Sequence, residues 1–422
     1  MSRQVGKPRF LIISPFLLLC GTGLFAIFSS TMSKNPALPL FARDLGATEQ
    51  YIGLIAAASS VVGVATSIPA GALSDLYGRR RVILSATFVF ASAPFLYLLV
   101  SSPWQLAAVR IYHGFATAIF GPVAMALVAD LFVTGRGESM GWYSSATLIG
   151  RALAPFVGGT ILASVAGSAD TGSGYWLGLT SYQWVYIVCG VAGLAAMLAA
   201  TQLPVDNRTR GGATLGESWS KLRAGLSDVV RSRPILVTSV AESLQYFSYG
   251  AMEAFLPLYA VFFVKPRLTT TEVGTIFFAQ ILTTALSKPL MGRTSDRVGR
   301  RPMIALGLIL SGVSMALFVT TGSFLLLLAI GMLYGLGLSV VTSATSAYVA
   351  ELAKAGQYGS ALGVLSTIMD VGQSTGPVVT GLMVATVGFR PAFFFVAALL
   401  LIGTVGFWFL APPQGSERTL AT

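Results

Sequence analysis

Apolar positions in this chain come in runs too long for a soluble fold. Residues 82–109 contain no charged side chain, and neither do residues 303–350. A membrane-crossing helix needs roughly 20 predominantly apolar residues, so the second run holds two spans and a turn. Backbone groups in lipid must be satisfied internally, and these runs are too long for barrel strands, which leaves helices. The pattern predicts twelve, over residues 10–33, 50–74, 82–100, 104–131, 139–166, 182–203, 234–263, 271–291, 303–321, 324–350, 358–385 and 389–410. The first run follows Arg3, Lys7 and Arg9 and continues to Met32 without a small-residue cleavage site, so it reads as a retained span and not a signal peptide. One long polar segment, 204–233, divides the chain into an N-terminal six-helix bundle (1–203) and a C-terminal one (234–422). Within it, residues 215–230 are expected to form an amphipathic helix on the membrane surface.

Composition agrees with this reading. The chain is 54% hydrophobic and 10% charged, with a mean hydropathy of +0.75, whereas a soluble domain carries about 25% charged residues. The net charge of +11 would suggest nucleic acid in a soluble protein; in a membrane protein it reports topology. With both termini placed in the cytoplasm, nineteen of the 27 lysines and arginines fall in cytoplasmic segments and five in outer loops. Two cysteines inside apolar spans exclude a disulfide framework, and a single histidine excludes a His-rich metal site. No phosphate-cradling loop of the GxxxxGK[ST] kind is present, so nothing points to ATP drive or to any cofactor.

The two halves repeat one another. "GALSDLYGRR" from Gly71 returns as "GRTSDRVGRR" from Gly292, matching Gly71, Asp75, Gly78, Arg79 and Arg80 to Gly292, Asp296, Gly299, Arg300 and Arg301. "LPLFA" at Leu38 returns as "LPLYA" at Leu256, "VADL" at Val128 as "VAEL" at Val349, and Gly53 pairs with Gly274. "GWYSSATLIGRALAPFVGG" from Gly141 aligns with "GVLSTIMDVGQSTGPVVTG" from Gly363. Internal repeats of this size mark a secondary transporter whose site lies near the midplane between halves.

At these residues the chain resembles the major facilitator superfamily over nearly its whole length. The repeated loop is similar to that family's loop between helices 2 and 3 and its counterpart between helices 8 and 9, with Leu76 where an arginine is usual. "RIYHGFATA" from Arg110 resembles the helix 4 arginine motif, with His113 where glutamine is common. Gly150, Pro155, Gly158 and Gly159 resemble the helix 5 motif of the drug:proton antiporter branch, and Gly372, Gly376, Pro377 and Gly381 carry it in helix 11. The resemblance implies an all-α membrane fold of twelve spans in two pseudo-symmetric bundles that rock to expose a central site to each side in turn. The repeated loop is then a latch: Asp75 caps a helix of the opposite half, Arg79 and Arg80 pair with Asp130, and Asp296, Arg300, Arg301 and Glu351 take the same roles in the second copy. Gly71 and Gly78 permit close approach and a tight turn.

Six ionisable residues fall inside predicted spans: Arg110, Arg151, Glu242, Glu253, Lys288 and Asp370. Each costs about 2.5–3.5 kcal/mol or more at the bilayer centre, so each is expected to face the bundle interior. Glu242 and Glu253 are separated by three helical turns and share one face with Tyr246 and Tyr249. Tyr246, Tyr249, Arg151 and Gln373 are expected at the substrate cavity. Glu242, Asp370, Arg110, Glu253 and His113 are the candidates for proton coupling, with Glu253 nearest the outer face and close to Lys34 through its repeat mate Asn35. The reading is proton-coupled antiport of small amphipathic or lipophilic compounds by a monomer integral to the cell membrane. A carrier for an anionic metabolite, siderophore or organic acid, with Arg110 and Arg151 on the anion, is the alternative, and a sensor or scaffold on the same fold is a third.

Overall fold

The computed structural model describes residues 14–132, 136–166, 174–204, 232–353 and 358–411, apart from the side chains of 67–73, 75, 76, 136, 137 and 358–360. The helix expected at 215–230 lies outside the described residues. Among the described residues, twelve long helices and one short one make up the first and second halves. The first half holds α1 (Pro15–Met32), α2 (Ala37–Asp44), α3 (Glu49–Tyr77), α4 (Arg79–Tyr97), α5 (Pro103–Leu131), α6 (Arg136–Ala166) and α7 (Ser181–Thr201). The second holds α8 (Arg233–Leu258), α9 (Thr270–Val298), α10 (Arg300–Phe318), α11 (Phe324–Leu352), α12 (Tyr358–Val387) and α13 (Phe389–Leu410). Seven of these helical segments are long and apolar enough by composition alone to cross a membrane.

Helix ends follow local chemistry. Ser14 accepts from the Leu17 amide at 3.2 Å ahead of Pro15, and Ser102 caps α5 ahead of Pro103 in the same way. Thr180 with Gln183 and Thr269 with Glu272 form capping boxes that start α7 and α9. Gly78 (φ 88°) and Gly299 (φ 110°) join α3 to α4 and α9 to α10, a left-handed backbone that a Cβ would strain. This is the turn expected of the repeated loop. The close approach expected at Gly78 is not seen: an added Cβ there would meet nothing within 4 Å, and the same holds at Gly292.

The sequence pattern missed α2. Span 1 breaks at Asn35–Pro36, where proline offers no amide to continue the ladder. Its repeat mate is Ala254, and there α8 runs straight on to Leu258 and a π-helical turn, Tyr259–Phe263. A two-stranded hairpin, Tyr175–Trp176 with Leu179–Thr180, also departs from the all-helical expectation. It turns on Leu177 (φ 52°) and Gly178 (φ 76°), the mirror-image turn that suits strand twist.

Within the first half α3 packs on α5, α4 on α7, and α1 on α6 and α7; within the second, α9 packs on α11, α10 on α13 and α8 on α12. Two pairs join the halves along much of their length: α3 with α12, and α6 with α9. The outward faces carry Leu99, Leu198, Leu286, Leu325 and Phe409, all well exposed. An apolar exterior around buried serines, threonines and charges reverses the order of a soluble protein.

Candidate functional site

The two cross-half helix pairs meet through glycines. A Cβ built on Gly53 of α3 would lie 2.3 Å from the Pro377 carbonyl oxygen of α12, and one built on Gly274 of α9 would lie 2.3 Å from that of Pro155 on α6. A Cβ at Gly159 would come within 2.2 Å of the Thr270 carbonyl, and one at Gly381 within 2.6 Å of the Glu49 carbonyl. No side chain larger than hydrogen fits at these points without moving backbone. Gly53 and Gly274, Pro155 and Pro377, and Gly159 and Gly381 are repeat mates, so one contact is built twice. The Thr270 hydroxyl adds a 2.9 Å hydrogen bond to the Gly159 carbonyl. The remaining motif glycines face inward. Gly150 approaches the Leu24 carbonyl, Gly158 the Met32 side chain, Gly372 the Ser243 carbonyl and Gly376 the Phe247 carbonyl, all within their own half.

Both seams lie at the end of the bundle opposite the arginine-rich turns, and an ion pair joins them there. Lys34 Nζ is 2.9 Å from Glu253 Oε2, across the halves. The Asn35 amide donates to Glu253 Oε1 at 2.7 Å, and the Tyr249 hydroxyl reaches the same oxygen at 3.4 Å. A small cavity beside this cluster is lined by Lys34, Asn35, Gly250, Glu253, Gln373 and Pro377. Three side-chain contacts across the halves, Asn35 with Glu253, Thr270 with Gly159 and Lys34 with Glu253, belong to this end.

Further from the seam, about 21 Å along α3 from Glu49, Gly63 faces Asp370: a Cβ there would lie 3.6 Å from Asp370 Oδ2. Asp370 is half-buried on α12. Glu242 is 4% exposed, and its Oε2 lies 2.7 Å from the Thr345 hydroxyl of α11. Thr345 is also 2.9 Å from the Val341 carbonyl. One hydroxyl proton serves one of these acceptors well, and the hydroxyl's lone pairs remain available. Thr345 therefore suits both forms of Glu242: it donates to a carboxylate, or it donates to Val341 and accepts from a carboxylic acid. Tyr246 lies within electrostatic range of Glu242, Asp370 and Arg151, and Tyr249 within range of Arg151 and Glu253. Lys288 is in range of both Arg151 and Glu242. The predicted residues Arg151, Glu242, Tyr246, Tyr249, Glu253 and Asp370 are thus linked by electrostatic proximity, and Glu253 and Gln373 share the small cavity beside Lys34.

Arg110 and His113 do not join them. Arg110 is 2% exposed inside the first half and hydrogen-bonds Ser59 of α3. His113 is buried beside Tyr97, whose hydroxyl is 3.4 Å from Nδ1, and Tyr97 stacks on Tyr186 at 4.3 Å. No carboxylate among the described residues pairs with Arg110. The repeat mate of His113 is Tyr334, which bonds Ser248 at 2.7 Å and packs on Phe318, the mate of Tyr97. Tyr334 was legible through the repeat; Thr345 carried no signal in the sequence.

The repeated loop divides its arginines. Arg79 pairs with Asp130, and Arg300 with Asp296 and, at 2.7 Å, with Glu351. Arg80 and Arg301, expected on the same acids, turn away. Arg80 donates to the Thr201 carbonyl at 2.6 Å and Arg301 to that of Trp408, at the ends of α7 and α13. Adjacent helical positions point about 100° apart, so neighbours cannot share one acid. The side chain of Asp75 and the surroundings of Gly71 lie outside the described residues.

This arrangement, two halves built on one repeat and meeting at paired glycine seams beside interior charges, is matched by the Major Facilitator Superfamily profile over residues 18–266 and 247–422. The chain belongs to the Major Facilitator Superfamily. It is a multi-pass transporter of the plasma membrane. An uncharacterized superfamily transporter of Methanocaldococcus jannaschii is 26% identical over 96% of this chain and 98% of its own. The quinolone resistance protein NorA of Staphylococcus aureus is 22% identical over 85% of this chain and 87% of its own, and multidrug resistance protein 2 of Bacillus subtilis is 22% identical over 92% and 93%. Among solved structures, the nucleoside transporter NupG superposes with a TM-score of 0.77 at 13% identity, over 95% of this chain and all of that one. A bacterial homologue of the human lysosomal transporter Spinster, inward-facing and unoccupied, gives 0.77 at 15% identity over 94% and 96%. These two show that the superfamily fold is shared.

Proposed function

We propose that this transporter exchanges protons for small amphipathic or lipophilic compounds and exports them, with both termini in the cytoplasm and the present state closed toward the outside. The observation that carries this reading is the buried Glu242, whose only hydrogen-bond partner among the described residues is a hydroxyl able to serve either protonation state. A carboxylate that must gain and lose a proton needs such a neighbour, whereas a permanently charged one would be held by cations or several donors. Asp370, facing the opposite half across Gly63, is the second coupling residue. Tyr246 and Tyr249 supply aromatic platforms for a lipophilic substrate, and the likeness to drug-resistance proteins supports that class. The excess of arginine at the end away from the seams supports the orientation. An anion carrier has one observation in its favour: Arg110, deeply buried, has no carboxylate partner among the described residues.

The test is transport into proteoliposomes with an acidic lumen, using a fluoroquinolone and a lipophilic dye cation as probes, with a monocarboxylic acid as the contrast. Antiport predicts accumulation of the first two as protons leave, abolished by a protonophore. Accumulation of the acid alone, or of the drugs at equal rates with and without the gradient, would overturn the proposal.

A further inference from the structure

The repeat is followed closely at the arginine-rich end except at one place. Arg300 and Arg301 start α10 and diverge. Arg300 is 8% exposed and is held by Ser295, Asp296 and Glu351. Arg301 turns outward, with its guanidinium carbon 4.6 Å from the centre of the Trp408 ring and one amino group on the Trp408 carbonyl. It has no carboxylate partner among the described residues, and its Nε is buried without a hydrogen-bond partner. Arginine carries five N–H donors in one plane. Here the ring and one carbonyl orient that plane and leave most of its donors unused.

Directly beside it, between α10 and α13, runs an apolar groove of about 370 Å³, a size typical of small-molecule sites. Pro302, Ala305, Leu306 and Ile309 form one wall, and Thr404, Val405, Trp408 and Phe409 the other. Both sets recur at three- and four-residue spacing, so each is one helical stripe. The small Ala305 and Pro302 leave the floor low, and Trp408 and Phe409, 43% and 79% exposed, raise the rim. Pro302 to Ile309 covers about 10 Å along the axis, roughly a third of a 30 Å hydrocarbon core. That is the upper part of an acyl chain below its headgroup. In the first half the mates of Pro302, Leu306 and Ile309 are Arg81, Ser85 and Phe88, and the carbonyl that receives Arg80 belongs to Thr201, which offers no ring. Arg80 likewise has its Nε buried without a hydrogen-bond partner, but the apolar wall and the ring that flank Arg301 have no counterpart at these first-half positions.

We propose that this groove binds one anionic phospholipid of the inner leaflet, its phosphate on Arg301 and an acyl chain along Ala305, Ile309 and Val405. The choice of leaflet rests on the orientation given above; the site itself does not depend on the transport reading. An apolar groove facing hydrocarbon is filled by lipid, and at its interfacial end a cation with no carboxylate partner among the described residues selects a negative headgroup. Exposed Arg297, one turn before α10, adds to the field.

The full-length protein, purified in detergent with equimolar phosphatidylglycerol and phosphatidylcholine, is examined by native mass spectrometry for bound lipid. Wild type is expected to retain one phosphatidylglycerol in preference to phosphatidylcholine. Arg301→Ala is expected to lower that preference about fivefold. Ala305→Trp, which fills the groove and leaves the Arg301–Trp408 contact in place, is expected to remove both lipids. Arg80→Ala is expected to change neither. Equal retention of the two lipids by wild type, unchanged retention in Ala305→Trp, an Arg80→Ala loss as large as that of Arg301→Ala, or full displacement by millimolar inorganic phosphate would each overturn the assignment. Because retention is read without transport, failure of proton-coupled uptake in proteoliposomes leaves this result standing, and the converse holds.

Discussion

The interiors of the two halves, compared position by position, separate what the repeat keeps from what it lets drift. At the seams the halves agree to within a few tenths of an ångström: Gly53 meets Pro377 as Gly274 meets Pro155. In the cores they do not. The first half buries Arg110 and His113 where the second has Gly331 and Tyr334, and the second buries Glu242 where the first has Leu24. The seams must open and close together if the halves rock as rigid bodies, and matched surfaces keep the two sides in step. Coupling and substrate contact need particular charges at particular places, and nothing requires both halves to supply them. Symmetry therefore belongs to the motion and asymmetry to the chemistry.

The largest effects are expected where that comparison is strictest. Gly53→Leu and Gly274→Leu each force a side chain against a backbone oxygen, an overpacking worth about 1–3 kcal/mol. Each is expected to cut the transport rate at least about tenfold, and by similar factors, while Gly141→Ala, with open space around it, stays near wild type. A clear inequality between the two leucine variants would break the claim of equivalent seams. Next come the asymmetric charges. Glu242→Gln and Asp370→Asn fix the neutral form and are expected to abolish gradient-driven accumulation while substrate exchange at equal pH continues. If both variants still accumulate substrate at wild-type rates, coupling resides elsewhere, and Arg110 with His113 becomes the place to look.

Smaller effects sharpen the picture. Thr345→Val removes the Thr345 hydrogen bond to Glu242, worth about 1 kcal/mol, and is expected to slow coupled transport severalfold. Thr345→Ser restores the hydroxyl and is expected to rescue it, which a packing role would not predict. The smallest effect is expected at the rim. Lys34→Gln and Glu253→Gln each free one partner of a partly exposed pair, so a double-mutant cycle is expected to give a coupling of about 1 kcal/mol. Spin-label distances between the Glu49 end of α3 and the Gly381 end of α12 would report it as a shift toward the separated state.

Much of the architecture was legible along the chain. Length and hydrophobicity alone determine that a helix crosses a bilayer, because an unsatisfied backbone in lipid has no alternative. Matching glycines, prolines and charges at a near-constant offset determined that the halves are copies, and the helical period put Glu242, Tyr246, Tyr249 and Glu253 on one face. The break before α2 at Pro36 was not legible, because Pro94, Pro122, Pro155, Pro289 and Pro377 stand inside unbroken helices. Tertiary structure decided the rest. Periodicity says which residues share a face of a helix, not which way that face is turned or what stands opposite. Gly150 and Gly159 look alike in sequence, yet one meets its own half and the other its partner, because α6 is wedged between α1 and α9. Arg79 and Arg80 look like a pair, yet the 100° between them sends one to Asp130 and the other to the end of α7. The meeting of Lys34 with Glu253, and of Glu242 with Thr345, joins residues 219 and 103 positions apart. Only the packing of whole helices sets such distances, since no local interaction reaches across them.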